Sequence, residues 1–427
     1  MPEAQGRTLN PIRRRLVLYC PGYDAIADRR YYRLMVTQFA LLAGQFGIER
    51  EIGPVEVDER VPSVRWSVSA ANAGWRTETT YEVLRWDDLI RRDLSRNWRK
   101  RAPLFLAMLT ASWRDRFMLR LFRMDWHFAS LLIYPLIALL AVLCAAIAAG
   151  YGVACLVALF LPLSSWITGL ITIVLAAFLA RAAEPWLRKA YVYHVLDDWI
   201  FHWQDTLGRR PDFDARLDHF GQRLVAAVRD TSVEEILIVG HSSGAIVAIE
   251  CVARAFARDP QLGRRGPRLA LLTIGARVPI SALWTSAQRL RGAITRVAIE
   301  PSLLWVEYQA PQDPFHAFRF DAVRDLQLDL GGCARINPVI RSARFKQTLR
   351  PHTYRRLRLQ FFRLHFQFLM ANERPGECDY LMIACGPVSL ADRIRDPEQA
   401  VIDAYGAGVE HGVEADVSDI VHADHSA

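Results

Sequence analysis

The chain has no Cys-x-x-Cys pair, very little lysine, and not one Asp, Glu, Lys, Arg or His across residues 128–180. Each absence excludes something. The seven cysteines, Cys20, Cys144, Cys155, Cys251, Cys333, Cys378 and Cys385, are odd in number and scattered, and two fall inside the uncharged run. That spacing argues against a disulfide framework and against a zinc site, and favours buried, reduced, inert thiols. With lysine so scarce, the net charge of +8 and the pI near 9.3 rest on arginine. A basic chain can face nucleic acid or an anionic membrane. No nucleic-acid motif accompanies the arginines, so the membrane is the preferred partner. The stretch "MPEAQGRTLNPIRRRLVLYC" is basic but has no long apolar core before Pro21, so it does not read as a signal peptide. No metal or other cofactor is expected. "HADH", from His422 to His425, is read as part of a solvated tail rather than as a metal site.

What is present begins with the uncharged run itself. The chain has 427 residues, 52% of them hydrophobic, and its mean hydropathy of +0.08 averages one very apolar block with ordinary sequence. Residues 128–180 suffice for two membrane spans of roughly 20 residues each. The Gly150-Tyr151-Gly152 triplet predicts the turn, with spans over 129–149 and 155–178, the second kinked at Pro162. A turn at residues 162–165 would leave a first span of about 33 residues, longer than a bilayer needs. Arginines flank the run at both ends and none stands at its tip, which places both ends and the polar sequence in the cytoplasm of a two-span inner- or plasma-membrane protein. Trp126, Trp166 and Trp186 lie near expected interface depths. Just before the run, residues 103–128 mix Arg with Phe, Leu, Met and Trp at helical spacing. That pattern suits either a helix in the headgroup plane or one packed on a soluble domain.

The polar parts alternate between strands and helices. Apolar runs at 14–20, 236–239, 268–276 and 302–311 read as buried strands, and 63–70 and 77–86 have strand composition. Helical patterns cover about 30–47, 185–207, 212–229, 245–257 and 280–290. Unbroken apolar strands between helices predict an α/β fold, a mostly parallel sheet flanked by helices. The expected organisation is 1–90 and 211–390 as two parts of one domain, 91–210 as a membrane-associated insertion, and 391–427 as a disordered tail.

The stretch "EILIVGHSSGAIVAIECVARAFA" joins a strand to a helix through a Gly-x-Ser-x-Gly turn. The pattern alone is weak, but its setting is what such a turn needs: a tight strand–helix junction exposes the serine oxygen and aims helix amides at it. Here the chain resembles the α/β-hydrolase superfamily, and "GHSSG" looks like the lipase/esterase form of its nucleophile elbow. The resemblance covers roughly residues 10–90 and 210–390, with the apolar block inserted between them, whereas the superfamily's usual lid insertion follows the nucleophile. It implies that Ser242 is the nucleophile and that the amide of Ser243 is one oxyanion donor. His241 would have a supporting role.

A serine hydroxyl needs a base and a group that orients the base. In the superfamily's chain order the acid follows the serine and the histidine comes last. By that resemblance Asp313, in "QDP" just past a strand end, is the acid, with Asp321 as competitor; His316 follows Asp313 too closely to be its base. Two histidines stand as candidate bases. His365, in "FFRLHFQF", is preferred, and His352, in "RPHTY", is the alternative. The second oxyanion donor is expected from "LVLYCPGYD" as the Tyr23 amide, with Gly22 allowing close approach. Cys20-Pro21-Gly22 stands where relatives usually show His-Gly. The implied activity is hydrolysis of a carboxylic ester or thioester, lipid-like in view of the apolar block. The alternative is a non-catalytic, hydrolase-like module that binds a lipid or protein partner.

Overall fold

The computed structural model describes residues 10–58, 62–161 and 164–406. Pro162, His422 and His425 lie outside the described residues. The chain divides into two compact units. One comprises residues 1–89, 211–282 and 287–427, the other residues 90–210 and 283–286.

The first unit is built on a nine-stranded sheet: β1 (Arg14–Cys20), β2 (Glu49–Ile52), β3 (Glu56–Asp58), β4 (Ser63–Asn72), β5 (Trp75–Leu84), β6 (Glu235–His241), β7 (Arg268–Ile274), β8 (Leu303–Gln309) and β9 (Val339–Ser342). Its order is β2-β4-β5-β1-β6-β7-β8-β9, with β3 also paired to β4. From β5 to β9 every neighbouring pair is parallel. The remaining pairs, β2–β4, β3–β4 and β4–β5, are antiparallel. This is the expected mostly parallel α/β architecture.

The burial patterns explain why these residues make strands. Every residue of β6 is buried, as are all but the first of β1 and β7, so the runs "LVLYC" and "ILIV" within β1 and β6 can be apolar throughout. In β4 and β5 buried and exposed residues largely alternate, the period of a sheet with one wet face. The short strands β2, β3 and β9, "EREI", "EVD" and "VIRS", have no apolar run and escaped the reading from sequence. The helix Ala27–Phe46 stops at Gly47, whose φ of 66° lets its amide return to the Ala43 carbonyl. The one helix expected near 280–290 is two, Pro279–Ala282 and Gln288–Ala298. Residues at the start of the expected tail form the helices Leu390–Arg395 and Pro397–Tyr405. Val401, Ala404 and Tyr405 are buried there, enough apolar surface to hold the segment in place.

The second unit is helical. Its main features are a helix of 33 residues, Trp126–Ala158, followed by Ser165–Ala182. Trp126–Ala158 and the helical stretch Ser165–Lys189, which extends the second helix, are long and apolar enough to cross a membrane. The turn expected at Gly150-Tyr151-Gly152 is not there: the helix runs straight through these residues and ends at Ala158, and the expected spans 129–149 and 155–178 shift accordingly. The reason is packing. A Cβ on Gly150 would come 2.7 Å from the Thr172 carbonyl oxygen and 3.2 Å from the Ala176 amide. The glycine is a close-approach residue between two helices, not a turn residue. Residues 103–128 form parts of three helices, Trp98–Arg114, Phe117–Met124 and the start of Trp126–Ala158, with the first break at Arg116, φ 54°. Phe105, Met108, Phe117 and Leu121 are buried, whereas Leu106, Trp113, Leu119 and Phe122 are exposed. Arg101 and Asp197 form a fully buried, two-pronged ion pair at 2.9 and 2.8 Å.

Candidate active site

Ser242 lies at the tightest junction of the first unit, between β6 and the helix Gly244–Arg258. Its φ is +60°, a left-handed conformation that a residue with a side chain rarely adopts. Two tethers over-determine it. The Ser242 amide donates to the Ile274 carbonyl at 3.1 Å, and the Arg277 amide donates to the Ser242 carbonyl at 3.2 Å. The flanking glycines are required by contact. A Cβ on Gly240 would meet the Ala245 Cα at 2.5 Å, and one on Gly244 would overlap the Cys20 carbonyl oxygen. Helix and strand therefore approach each other, and the β1 loop, more closely than any side chain permits.

That loop, Cys20-Pro21-Gly22-Tyr23, borders the serine. A Cβ on Gly22 would come 3.0 Å from the Ser242 Cβ and 3.4 Å from its Oγ. The Pro21 carbonyl is fixed by Trp86, whose Nε1 donates to it at 3.0 Å. The Tyr23 amide, expected to be free for an oxyanion, donates to the Ser243 hydroxyl at 2.9 Å. The Ser243 amide has no acceptor among the described residues.

Asp313 follows β8 and is fully buried. Its Oδ1 accepts from the Phe315 amide at 2.9 Å. Its Oδ2 accepts from His365 Nδ1 at 2.6 Å, across a sequence separation of 52. Burial works to raise the Asp313 carboxyl, but the imidazoles of His365 and His316 outweigh it and hold the group below the usual carboxylate range. Since Nδ1 donates to this carboxylate, His365 keeps its lone pair on Nε2. That atom is buried and has no hydrogen-bond partner among the described residues. The imidazole sits over Gly275: a Cβ there would meet His365 Cε1 at 3.1 Å. Gly275 directly follows Ile274, the residue whose carbonyl tethers Ser242.

Comparison with family profiles, curated proteins and solved structures finds no match. The site therefore has to be read from its own chemistry.

Two further histidines complete it. His241 Nε2 donates to the His365 carbonyl at 3.1 Å, which fixes its tautomer because a carbonyl can only accept. Its ring packs 4.7 Å from that of His365. Burial, with the neighbouring His365, lowers its pKa to about 3, so it is a neutral spacer. His316 accepts the Ala310 amide on Nε2 at 3.1 Å and turns Nδ1 toward Asp313 Oδ2 at 3.2 Å, off the N–H axis. Reasoning from sequence missed this second imidazole on Asp313; the spacing of three residues was the available signal.

The competitors lie elsewhere. Asp321 pairs with Arg335 at 2.7 Å and accepts the amides of Val323 and Arg324, the pattern of a turn-forming aspartate. His352 is exposed in the first turn of the helix Pro351–Leu357, and its ring makes no hydrogen bond or ion pair among the described residues.

Proposed function

We propose that this chain is a membrane-anchored serine hydrolase of α/β-hydrolase type that cleaves carboxylic esters or thioesters, lipid-like ones included. The observation that carries the reading is the Asp313–His365 contact of 2.6 Å. It leaves a lone pair on a buried Nε2 in the neighbourhood of a serine held at positive φ.

In this mechanism Ser242 Oγ attacks the acyl carbon as His365 Nε2 takes its proton. Asp313 holds the ring in the tautomer that leaves Nε2 free and stabilises the imidazolium that forms. The negative oxygen of the tetrahedral intermediate is met by the Ser243 amide at the head of the helix Gly244–Arg258, with the helix dipole behind it. The Tyr23 amide becomes the second donor when the Ser243 hydroxyl rotates away from it. His365 then gives its proton to the departing alkoxide or thiolate. Water repeats the sequence on the acyl-enzyme and frees Ser242.

The apolar helices support the membrane half of the reading. Only 17% and 6% of their most apolar windows are buried, so Ile137, Leu140, Ile173 and Phe178 would otherwise face water. A 33-residue helix is about 50 Å long. It therefore exceeds the roughly 30 Å hydrocarbon core and extends into the headgroups at Trp126. The arginines at both flanks support a cytoplasmic location for both ends and for the proposed hydrolase unit.

The engagement of the Tyr23 amide by Ser243 favours the alternative, a non-catalytic membrane module that binds a lipid or protein partner. Hydrolysis of a short-chain p-nitrophenyl ester by the detergent-purified chain separates the two. Turnover that is abolished by Ser242→Ala supports the enzyme; turnover equal in both proteins, or absent from both, supports the module.

A further inference from the structure

The helix Phe361–Phe366 carries His365 on its buried side and a different surface on its other side. At the start of this helix and in the link from the preceding one, Pro351–Leu357, three large apolar side chains are exposed. Leu359 is 74% exposed, Phe361 53% and Phe362 40%. Four exposed arginines, Arg355, Arg356, Arg358 and Arg363, alternate with them. None of the four forms an ion pair among the described residues, although many arginines elsewhere in the chain are paired with a carboxylate. Leaving this much apolar surface in water is unfavourable, and four unneutralised guanidinium groups around it call for anions. Apolar tips ringed by cations match a lipid leaflet, where the tips enter the acyl region and the guanidinium groups meet phosphates.

The surface also leads inward. The Phe362 ring lies 4.6 Å from that of Phe315, which in turn lies 5.4 Å from the His365 imidazole. An apolar path thus joins the exposed tips to the candidate base.

Resting on the membrane reading above, we propose that the segment Arg355 to Arg363 docks onto a bilayer rich in anionic phospholipid, with Leu359 and Phe361 inserted. Docking there brings the Ser242–His365 site to the leaflet, and an acyl chain enters along Phe362 and Phe315. The electrostatic share makes docking selective for anionic headgroups, since each basic side chain near such a surface adds attraction that salt screens.

The test uses the full chain reconstituted in nanodiscs, with Cys144→Ala, Cys155→Ala and Cys333→Ala removing the accessible or partly accessible thiols. A polarity-sensitive fluorophore is attached at Phe361→Cys and, in a second protein, at Leu359→Cys; both positions are exposed enough to tolerate the change. In discs containing phosphatidylglycerol, emission is expected to shift to the blue and iodide quenching to fall. In phosphatidylcholine discs both effects are expected to be lost, as they are after changing the four arginines to glutamine. Equal emission in the two lipids, or a blue shift that survives loss of all four arginines, overturns the proposal. Flotation of the chain with phosphatidylcholine vesicles reports separately on the two spans. Fluorophosphonate labelling of Ser242 in the same samples reports separately on the hydrolase reading.

Discussion

His365 Nδ1 donates to Asp313 Oδ2 at 2.6 Å, and the same carboxylate receives the Phe315 amide on its other oxygen. A buried carboxylate whose lone pairs are taken up in this way holds an imidazole in one tautomer. Asp313→Asn removes the charge and reverses the tautomer preference, so kcat is expected to fall by roughly 10³–10⁴-fold. His365→Ala is expected to be at least as damaging. His352→Ala is expected to leave kcat unchanged, because that ring is exposed and has no hydrogen bond or ion pair among the described residues. Steady-state ester hydrolysis by the three variants is the check.

The glycines flanking Ser242 should be intolerant of any added carbon. Gly244→Ala drives a methyl into the Cys20 carbonyl and Gly240→Ala one into the Ala245 backbone. Neither obstacle is a flexible side chain, so each change is expected to cost about 1–3 kcal/mol or more. Gly44→Ala is the control, since nothing lies within 4 Å of the added carbon in the helix Ala27–Phe46. It is expected to stabilise by about 0.5–1 kcal/mol. Thermal unfolding in detergent would rank the three variants.

A buried glutamate gives the stability a pH dependence of known sign. Burial pushes the Glu307 carboxyl up to about 7, against hydrogen bonds from Gln309 and Thr273. The folded chain therefore holds this proton where the unfolded chain has released it. Its contribution is fully present below the ordinary glutamate pKa of about 4.3 and is lost as pH rises through about 7. Glu307→Gln is expected to raise the unfolding temperature at pH 8 and to change it little at pH 4.5. A larger gain at pH 4.5 than at pH 8 would reverse the sign and refute the assignment.

Within the apolar pair, two glycines one residue apart should behave differently. Gly150→Ala puts a methyl 2.7 Å from the Thr172 carbonyl oxygen and 3.2 Å from the Ala176 amide, whereas the methyl of Gly152→Ala meets nothing within 4 Å. The first is expected to lower the melting temperature of the detergent-solubilised chain, and the second to leave it unchanged. Equal effects would restore a turn at these residues.

Legibility in the sequence followed the physics of each element. Strands buried on both faces, such as β1 and β6, announce themselves as unbroken apolar runs. The edge strands β2, β3 and β9 do not, because their pairing is set by the sheet and not by their own side chains. Gly150-Tyr151-Gly152 misled because a glycine that permits close helix packing has the same local signature as one that permits a turn. At the site, the order serine, aspartate, histidine along the chain pointed to Ser242, Asp313 and His365. The contact that favours His365 over His352 required three dimensions, since only the fold brings residues 313 and 365 together. The engagement of the Tyr23 amide by the Ser243 hydroxyl depends on a side-chain rotamer, which no sequence pattern encodes.

The central claim is that Ser242 is an activated nucleophile. It is tested most directly by treating the folded, detergent-purified chain with a fluorophosphonate and mapping the modified residue by peptide mass spectrometry. A single adduct on Ser242, abolished in His365→Ala, is the predicted result. Folded protein that stays unlabelled at Ser242, or that labels equally well without His365, would contradict it.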